Sequence, residues 1–340
     1  MEKRQLGRSG IQVSPMGLGC WAMGGLLKSA HENLHGNLSW GVVDDGETTR
    51  AIQAAIDLGI NFFDTADTYG AGQSERVLGK AVAGIRDQVI IATKFGDIFE
   101  EESRSWLGHE HPNGVVTEAY VRSACEASLR RLGTDYIDLY QFHWGNYDPE
   151  LAVDLFRILE DLVEEGKIRW YGWSTGYTER AKIFASGEHC TAIQYNYNIL
   201  ERNTPMQALC EELDLASITR GPLGMGLLTG KFTQESKIAA DDVRSLFWNL
   251  KTGRAGEEIE MLAAIHAVLK QDGCSLAQAA LRWLWARGDQ IIPIPGFRNQ
   301  DQVVENINAM HYGPLTPEQM QEIDKILEID RDPNRVELVD

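Results

Sequence analysis

Residues 59–79 read Gly-Ile-Asn-Phe-Phe-Asp-Thr-Ala-Asp-Thr-Tyr-Gly-Ala-Gly-Gln-Ser-Glu-Arg-Val-Leu-Gly. Gly59 ends a helical pattern, and the apolar residues after it predict a buried strand that ends at Asp64. Tyr69 follows this strand after a short polar segment. We therefore expect a carboxylate and a phenol to lie at one end of the strand.

Two further apolar runs also end in an ionisable residue. The run Val-Ile-Ile-Ala-Thr-Lys ends at Lys94, and the run Tyr-Ile-Asp-Leu-Tyr-Gln-Phe-His ends at His143. Both runs are short and rich in β-branched or aromatic residues, as buried strands are. Three consecutive strands are thus predicted to carry an ionisable side chain at their C-terminal ends.

Strands and helices alternate along the whole chain. Eight apolar strands are predicted to start near residues 16, 61, 89, 137, 168, 192, 217 and 291, each followed by a helical pattern or a long loop. Eight such units without a break in composition favour an α/β fold, a (β/α)8 TIM barrel, over an open doubly wound sheet. We expect residues 1–340 to form this barrel as a single domain.

The remaining segments are predicted to extend the barrel at its two ends. Residues 3–6 and 11–14 flank Gly7-Arg8-Ser9-Gly10 and predict an N-terminal β-hairpin. Long polar or glycine-rich loops follow the strand ends, at residues 24–46, at residues 97–115 and after Arg220. In a TIM barrel such loops lie at the C-terminal face, where active sites are built.

Composition excludes several classes of function. The net charge is −18 and no Lys/Arg cluster is present, so no nucleic-acid or anionic-membrane partner is expected. Five cysteines without a C-x-x-C pair and no apolar leader predict a reducing, cytoplasmic setting. No apolar run approaches the ~20 residues that span a bilayer. His109 and His111 lack a third ligand nearby, so no metal site is expected.

A glycine motif near the first strand is weak. Gly17-Leu-Gly-Cys-Trp-Ala22 satisfies G-x-G-x-x-A, the dinucleotide-binding pattern of a strand followed by a helix. No helix opens there, because residues 23–45 are irregular, and no βαβ unit with an acidic residue about 20 positions on is evident. We therefore expect Gly17 and Gly19 to allow close packing at the first strand.

The three strand ends together describe a proton donor with tuning groups. An unperturbed tyrosine has a pKa of ~10, and a nearby lysine cation favours its phenolate. Asp64 opposes this effect but keeps Lys94 charged, so we expect a modest net lowering of the Tyr69 pKa. His143 is expected to hydrogen-bond a substrate oxygen. Such a set suits protonation of an alkoxide as it forms from a carbonyl, and a cofactor is required for the hydride.

Six motifs in order carry a family resemblance over essentially the whole chain. They are Asn-Phe-Phe-Asp-Thr-Ala-Asp-Thr-Tyr-Gly at 61–70, Ile-Ala-Thr-Lys-Phe-Gly at 91–96, Asp-Leu-Tyr-Gln-Phe-His at 138–143, Gln-Tyr-Asn-Tyr-Asn at 194–198, Gly-Pro-Leu-Gly-Met-Gly-Leu-Leu-Thr-Gly-Lys at 221–231 and Pro-Gly-Phe-Arg-Asn-Gln-Asp-Gln-Val-Val-Glu-Asn at 295–306. The chain resembles the aldo-keto reductases, (β/α)8 oxidoreductases that use NADPH. It is similar to bacterial branches of that family and to channel-associated β subunits.

The resemblance implies a role for each residue of the tetrad. Tyr69 would be the general acid, with Asp64 and Lys94 as its tuning pair, and His143 would orient the carbonyl. Hydride would pass from C4 of the nicotinamide to the carbonyl carbon of a small-molecule substrate. Trp21, Trp106 and Trp144 are predicted to contact this substrate and to favour apolar or aromatic aldehydes.

The resemblance also implies a set of NADP(H) contacts. Trp21, beside Cys20, and Asp64 would lie near the nicotinamide, with Ser174, Thr175 and Gln194 at its carboxamide. Thr175 and Arg220 stand where most members have an asparagine and a stacking tyrosine. The pyrophosphate would lie against Gly221, Pro222, Leu223, Gly226 and Lys231. Arg298 is the candidate for the 2′-phosphate and Gln302, Glu305 and Asn306 for the adenosine, whereas Gly296 and Phe297 replace the usual lysine and serine.

Three classes of function are consistent with these residues. The first is NADPH-dependent reduction of aldehydes and ketones to alcohols. The second is an NADP(H)-binding regulatory or redox-sensing subunit with little turnover. The third is a Schiff-base lyase that uses Lys94. No motif indicates an oligomeric state.

Overall fold

A parallel eight-stranded barrel forms the centre of the molecule. The computed structural model describes residues 2–31, 34–109 and 111–327. The barrel strands, from first to eighth, are Leu18–Gly19, Phe62–Asp64, Ile90–Phe95, Ile137–Phe142, Ile168–Ser174, Cys190–Asn196, Ala216–Arg220 and Ile291–Pro293. Each strand pairs with its neighbours in this order.

The first and eighth strands close the barrel. The Gly17 N–H donates to the Pro293 carbonyl at 3.0 Å, and the Gly19 N–H donates to the Pro295 carbonyl at 3.1 Å. A Cβ at Gly19 would lie 2.7 Å from the Ile294 carbonyl oxygen, so glycine is needed for this close approach. The predicted (β/α)8 barrel is confirmed, and the glycines at its first strand serve closure.

Ten α-helices are present in the part of the chain that the structure describes. They are Asp45–Asp57, Gln73–Ala81, Glu118–Leu132, Pro149–Glu164, Thr178–Ala185, Thr204–Glu212, Arg254–Leu269, Leu276–Trp285, Gln300–Asn308 and Pro317–Leu327. Short 3-10 helices occur at Gly7–Ser9, Trp21–Met23, Arg86–Gln88, Pro112–Gly114, Gly224–Thr229, Val243–Leu246 and Ala309–His311. The last predicted helix and the predicted domain extend into residues 328–340, which lie outside the described residues.

The core has two layers. Inside the barrel, Phe62, Ala92, Leu139 and Ile218 pack together, while a larger cluster fills the space between barrel and helices. Helix Pro149–Glu164 contributes the buried residues Ala152, Leu155, Leu159 and Leu162 to this outer layer. The 3.6-residue spacing of these side chains is why the sequence predicts this helix.

The predicted N-terminal hairpin closes the opposite end of the barrel from the loops. Its strands Arg4–Gln5 and Gln12–Val13 are antiparallel. The Arg8 guanidinium donates to the carbonyls of Cys190, Ala185 and Gly187 at 2.6, 2.9 and 2.7 Å. Arg4 donates to the carbonyls of Ile291 and Gly288. The hairpin is thereby bonded to the sixth and eighth barrel strands.

A small sheet over the C-terminal face replaces the predicted irregular loops. We call it the mouth sheet, and its four strands are Lys28–Ser29, Gly36–Asn37, Ile98–Glu100 and Ser105–Gly108. Strand Lys28–Ser29 pairs in parallel with Ser105–Gly108, so two loops far apart in sequence form one layer. Strands of two to four residues carry no readable alternation, which is why the sequence did not predict them.

No helix in the described part of the chain is long and apolar enough to cross a membrane.

Candidate active site

Lys94 lies at the centre of the site, fully buried in the third barrel strand. Its ammonium donates to a carboxylate oxygen of Asp64, to the Thr65 carbonyl at 2.9 Å and to the Tyr69 hydroxyl at 3.3 Å. An ammonium has three N–H donors, and all three are engaged. Because the Tyr69 oxygen accepts one of them, its own hydrogen is available for an acceptor at the barrel mouth.

The segment after the second strand brings Tyr69 to Lys94. The backbone turns sharply, with Ala71 at φ +53° and Gly70 at φ +60°. A Cβ at Gly70 would lie 1.7 Å from the Gly24 carbonyl oxygen. Glycine after Tyr69 therefore allows the loop after the first strand to pack directly against this turn.

Two glutamines hold the second oxygen of the Asp64 carboxylate. Gln141 and Gln194 donate to this oxygen at 2.9 and 2.8 Å. Burial opposes the charge on Lys94, but Asp64 and Tyr69 outweigh it and raise the Lys94 pKa. The ammonium is thus kept charged and aimed at the phenol, as the sequence predicted.

The Tyr69 pKa differs in direction from the sequence-based expectation. Burial of the hydroxyl raises the pKa above its ordinary value, and the charge of Lys94 opposes this rise without overcoming it. Asp64 adds to the rise, and the charge of Arg220 lowers it. The expected net lowering is therefore wrong for the chain alone, because desolvation of a phenolate outweighs one buried cation that already neutralises Asp64.

His143 joins the tetrad through a carboxylate that sequence reasoning missed. Its ring lies edge-on to the Tyr69 ring, with 5.9 Å between centroids. Its Nδ1 atom lies 2.7 Å from Asp97 Oδ2, and Trp106 Nε1 donates to Asp97 Oδ1 at 2.7 Å. Burial opposes ionisation of Asp97, but the His143 charge and hydrogen bond, with His109 and Trp106, lower its pKa. Burial also lowers the His143 pKa, against the effect of Asp97.

Aromatic rings surround the tetrad on the mouth side. Trp21 lies 6.2 Å from the Tyr69 ring in a stacked arrangement and 5.2 Å from Trp40. Trp144 stacks on His109 at 5.3 Å, and His109 contacts the Trp106 ring edge-on at 5.7 Å. The three tryptophans predicted at the substrate thus converge on one rim, together with Trp40.

The glycine-rich loop after the seventh strand forms a cradle with positive side chains. Gly226 has φ +98°, and a Cβ there would lie 3.3 Å from Arg244 Nη1 and 3.4 Å from Lys231 Cε. The N–H groups of Gly224 and Gly226 are bonded to carbonyls inside the loop, which leaves those of Gly221, Leu223 and Met225 as candidates for a phosphate. The loop can therefore bind a pyrophosphate as expected, but only some of its N–H groups are available to do so.

Cations around this loop are close enough to affect one another. Burial lowers the Lys231 pKa, and the positive charges of Arg244 and Arg298 lower it further, against Asp242. Arg244 is fixed by two bonds to Asp242 and donates to the Met225 carbonyl at 3.0 Å. A chain with a net charge of −18 thus carries a local cationic cluster where the sequence placed the phosphates.

The residues predicted at the carboxamide differ in what they offer. Ser174 ends the fifth barrel strand, and its hydroxyl makes no hydrogen bond to another described residue. The Thr175 hydroxyl donates to the Gly145 carbonyl at 2.7 Å, so it holds a loop. The Gln194 amide N–H group is bonded to Asp64 and to Gln141, at 2.8 and 3.1 Å. Cys20 is fully buried with its thiol towards the Leu18 carbonyl, and its backbone N–H donates to the Asp64 carbonyl at 2.8 Å.

The predicted adenosine end lies at the start of helix Gln300–Asn308. Arg298 is exposed, and the Gln302 side chain accepts from its N–H at 2.8 Å. Glu305 is exposed, whereas Asn306 is 3% exposed. Gln302 thus caps the helix start locally. Arg298 is the cation of this group, and its guanidinium donates to the Val42 carbonyl at 3.2 Å beside the helix N-terminus.

Sequence reasoning missed four residues of this region. Gln141 lies two residues before His143 in a buried run, and a polar residue there could have been noticed. Asp97 is the first carboxylate after Lys94, but its contact with His143 depends on how the loop folds back. Trp40 lies in a loop and Arg244 in a short 3-10 helix, and neither segment has a hydrophobic period that could have signalled it.

A metal site is not formed by the described residues. No group of three His, Cys, Asp or Glu side chains among them could hold an ion. His111 instead contacts the Gly96 carbonyl at 2.9 Å and the Tyr120 ring, and Glu110 lies outside the described residues.

Comparison with known proteins agrees with this geometry. The profile of the Aldo/keto reductase family matches residues 15–328. The chain is 33% identical over 334 residues to aldo-keto reductase YhdN of Bacillus subtilis (strain 168), covering 96% of this chain and 94% of YhdN. Among solved structures it is similar to the glycerol dehydrogenase AKR11B4 from Gluconobacter oxydans, with 30% identity, a TM-score of 0.79 and 98% of each chain covered. It is also similar to an aldo/keto reductase from Klebsiella pneumoniae in complex with NADP and acetate, with 27% identity, a TM-score of 0.70 and 100% of each chain covered. The chain therefore belongs to the aldo/keto reductase family and is an NADP(H)-dependent oxidoreductase.

Proposed function

We propose that the chain reduces apolar and aromatic aldehydes and ketones to alcohols, with Tyr69 as the proton donor. The observation that carries this proposal is the full engagement of the Lys94 ammonium, which leaves the Tyr69 hydrogen available to a substrate oxygen. Bound NADPH supplies the hydride. Tyr69 then gives its proton to the carbonyl oxygen, and Lys94 stabilises the phenolate that remains.

The cofactor is proposed to lie between the tetrad and the cationic cluster. Ser174 and Gln194 would hold the carboxamide, with Trp21, the Cys20 backbone and Arg220 against the nicotinamide. The loop with Gly221, Pro222, Leu223 and Gly226 would hold the pyrophosphate beside Lys231. Arg298, Gly296, Gln302, Glu305 and Asn306 would surround the adenosine phosphate. The cradle at Gly226, which a Cβ would fill, supports this assignment.

The preference for apolar substrates is supported by the aromatic rim. Trp21, Trp106 and Trp144 are each partly exposed. Trp21 stacks on Tyr69, Trp106 donates to the same Asp97 carboxylate as His143, and Trp144 stacks on His109. Flat apolar groups can pack against such rings and remove them from water, whereas small polyols would leave the rings exposed to solvent. One similar protein is a glycerol dehydrogenase, so glyceraldehyde and dihydroxyacetone belong in any substrate panel beside benzaldehyde derivatives.

The two alternative functions differ in what the structure offers them. A Schiff-base lyase needs a neutral lysine amine, but Lys94 is 0% exposed, charged and fully hydrogen-bonded. A regulatory subunit with little turnover would keep the same tetrad and would combine slow hydride transfer with very tight cofactor binding. Repeated turnover of NADPH with a carbonyl substrate distinguishes it from an enzyme.

Tyr69→Phe tests the proton donor. We expect kcat for NADPH-dependent carbonyl reduction to fall by about 10²–10⁴-fold, because general acid catalysis contributes that much. NADPH affinity, followed by fluorescence quenching, should change little. Tyr312→Phe is the matched control, since this tyrosine is 44% exposed and far from the tetrad in the fold. Equal kcat values for wild type and Tyr69→Phe would show that another group donates the proton.

We also propose a reducing cytoplasmic setting. All five cysteines are free and buried in the structure, and none is paired. Burial raises the pKa of the Cys125 and Cys190 thiols to about 12. Such thiols need no partner for stability and stay protonated.

A further inference from the structure

Asp97 holds His143 in one protonation pattern. The carboxylate is 5% exposed, and its two oxygens face two different donors, His143 Nδ1 and Trp106 Nε1, both at 2.7 Å. An indole N–H is a donor only, so the oxygen that faces Trp106 must accept. An ionised carboxylate accepts at both oxygens, and the atom that faces its second oxygen must carry a hydrogen. His143 therefore carries its hydrogen on Nδ1.

This hydrogen position determines what the other ring nitrogen can do. A neutral imidazole has one N–H and one lone pair, so a hydrogen on Nδ1 leaves Nε2 as an acceptor. Nε2 makes no hydrogen bond to a described residue, and the His143 side chain is 21% exposed beside Tyr69. Nε2 becomes a donor only when the ring takes up a second proton.

We propose that Asp97 is a positioning residue that makes carbonyl orientation by His143 dependent on the imidazolium form. The proposal rests on the carbonyl reduction proposed above, in which a carbonyl oxygen must accept a hydrogen bond at the mouth. In the neutral ring Nε2 would face that oxygen with a lone pair and repel it. In the imidazolium form Asp97 accepts from Nδ1 and the substrate oxygen accepts from Nε2.

The groups that face His143 come from four parts of the fold. Asp97, from the loop after the third strand, favours the imidazolium form by charge and hydrogen bond. Lys94 and His109 disfavour it by like charge. Tyr69 contacts the ring edge-on. Reduction should therefore be fastest in acid and should decline as pH rises through the His143 pKa, which burial places below the ordinary histidine value.

Asp97→Asn reverses the pattern for a geometric reason. The amide has a single acceptor oxygen. Trp106 Nε1–H donates to this oxygen, because this donor has no other partner among the described residues. The amide NH₂ group must then face His143 Nδ1. Nδ1 becomes an acceptor, and the neutral ring carries its hydrogen on Nε2, where it can donate to a carbonyl at any pH above the His143 pKa.

The experiment has a direct readout and a kinetic readout. In protein labelled with ¹⁵N-histidine, long-range ¹H–¹⁵N spectra distinguish the two neutral tautomers, and the His143→Gln spectrum identifies the His143 signals. We expect the Nδ1–H tautomer in wild type and the Nε2–H tautomer in Asp97→Asn. A wild-type ring with its hydrogen on Nε2 would overturn the proposal, whether or not any substrate is reduced.

The kinetic readout is the pH profile of kcat/KM for reduction. Wild type should show a decline at the His143 pKa, and Asp97→Asn should lose this decline and stay flat until the much higher Tyr69 pKa. The double variant Asp97→Asn/Trp106→Phe frees the amide oxygen to accept from Nδ1–H, so the decline should return. An Asp97→Asn profile with the decline still present, in place or displaced, would overturn the proposal. If wild type reduces no carbonyl at any pH, the proposed function fails while the tautomer spectra still decide the role of Asp97.

Discussion

Two buried carboxylates lie at opposite ends of the barrel and meet different partners. Asp138, near the start of the fourth strand, is 0% exposed and accepts from Arg86 at 2.6 Å and from Arg169 at 3.0 Å. Both guanidinium groups also lie 4.0 Å from the centre of the Tyr136 ring, so the ring is covered by two cations. Asp138 thus has two cationic partners, and neither contact involves a proton donor such as a tyrosine hydroxyl.

Asp64, at the end of the second strand, has one cation. Lys94 divides its three donors between this carboxylate, a backbone carbonyl and the Tyr69 hydroxyl. The second oxygen of Asp64 is held by neutral amides. The two sites differ in whether the cation of the ion pair also contacts a proton donor. A buried ion pair can take part in catalysis where its cation does so, as Lys94 does with Tyr69. Where the cations contact only the carboxylate, as at Asp138, the ion pair contributes to the stability of the fold.

Lys94→Met should have the largest effect, because it should lower both kcat and the free energy of unfolding. The Asp64 carboxylate would stay buried without its cation, and we expect unfolding free energy to fall by about 3–5 kcal/mol. In the fraction that remains folded, loss of phenolate stabilisation should lower kcat by about 10²-fold or more. Denaturant titration and steady-state kinetics measure the two effects. Unchanged kcat would mean that Lys94 is purely structural.

Asp138→Asn should affect stability alone. The amide keeps the shape of the side chain but loses the negative charge and one of the two acceptor oxygens, so we expect a loss of about 2–3 kcal/mol. The free energy of unfolding in urea measures this loss, and kcat per folded molecule should equal that of wild type. A fall in kcat comparable to that of Lys94→Met would remove the proposed distinction between the two ends.

Arg169→Gln should give the smallest effect. Its side chain is 49% exposed, so solvent screens its attraction to Asp138, and Arg86 still satisfies the carboxylate. We expect a loss of about 0.5–1 kcal/mol in unfolding free energy. Arg86→Gln should lower the unfolding free energy by more, because the Arg86 side chain is only 16% exposed. The reverse order would mean that the stacking on Tyr136 outweighs the ion pairs.

The sequence predicted the barrel because its strands are continuous apolar runs and its helices bury every third or fourth residue. Asp64, Tyr69, Lys94 and His143 were predictable because strand ends of a parallel barrel meet at one face. The mouth sheet was not, since strands such as Lys28–Ser29 are ordered by partners more than 70 positions away rather than by their own pattern.

Two features of the site depend on distances that no pattern contains. Asp97 reaches His143 only because the chain turns back after Gly96, which has φ +128°. The direction of the Tyr69 pKa depends on how completely its hydroxyl is desolvated, which outweighs the effect of Lys94. The sequence identified Tyr69, Lys94 and His143, but it could not give the distances and the burial that decide how strongly each group acts on the others.

The N-terminal hairpin has a consequence for the order of events on the ribosome. Arg4 donates to the carbonyl of Ile291, 287 positions later, and Arg8 to that of Cys190, 182 positions later. During translation the hairpin emerges long before either acceptor is synthesised. Leu6 and Val13 therefore stay exposed to solvent until the barrel residues that bury them have been made. The end of the barrel is consequently covered by a segment that precedes every barrel strand, and only after the last strand has left the exit tunnel.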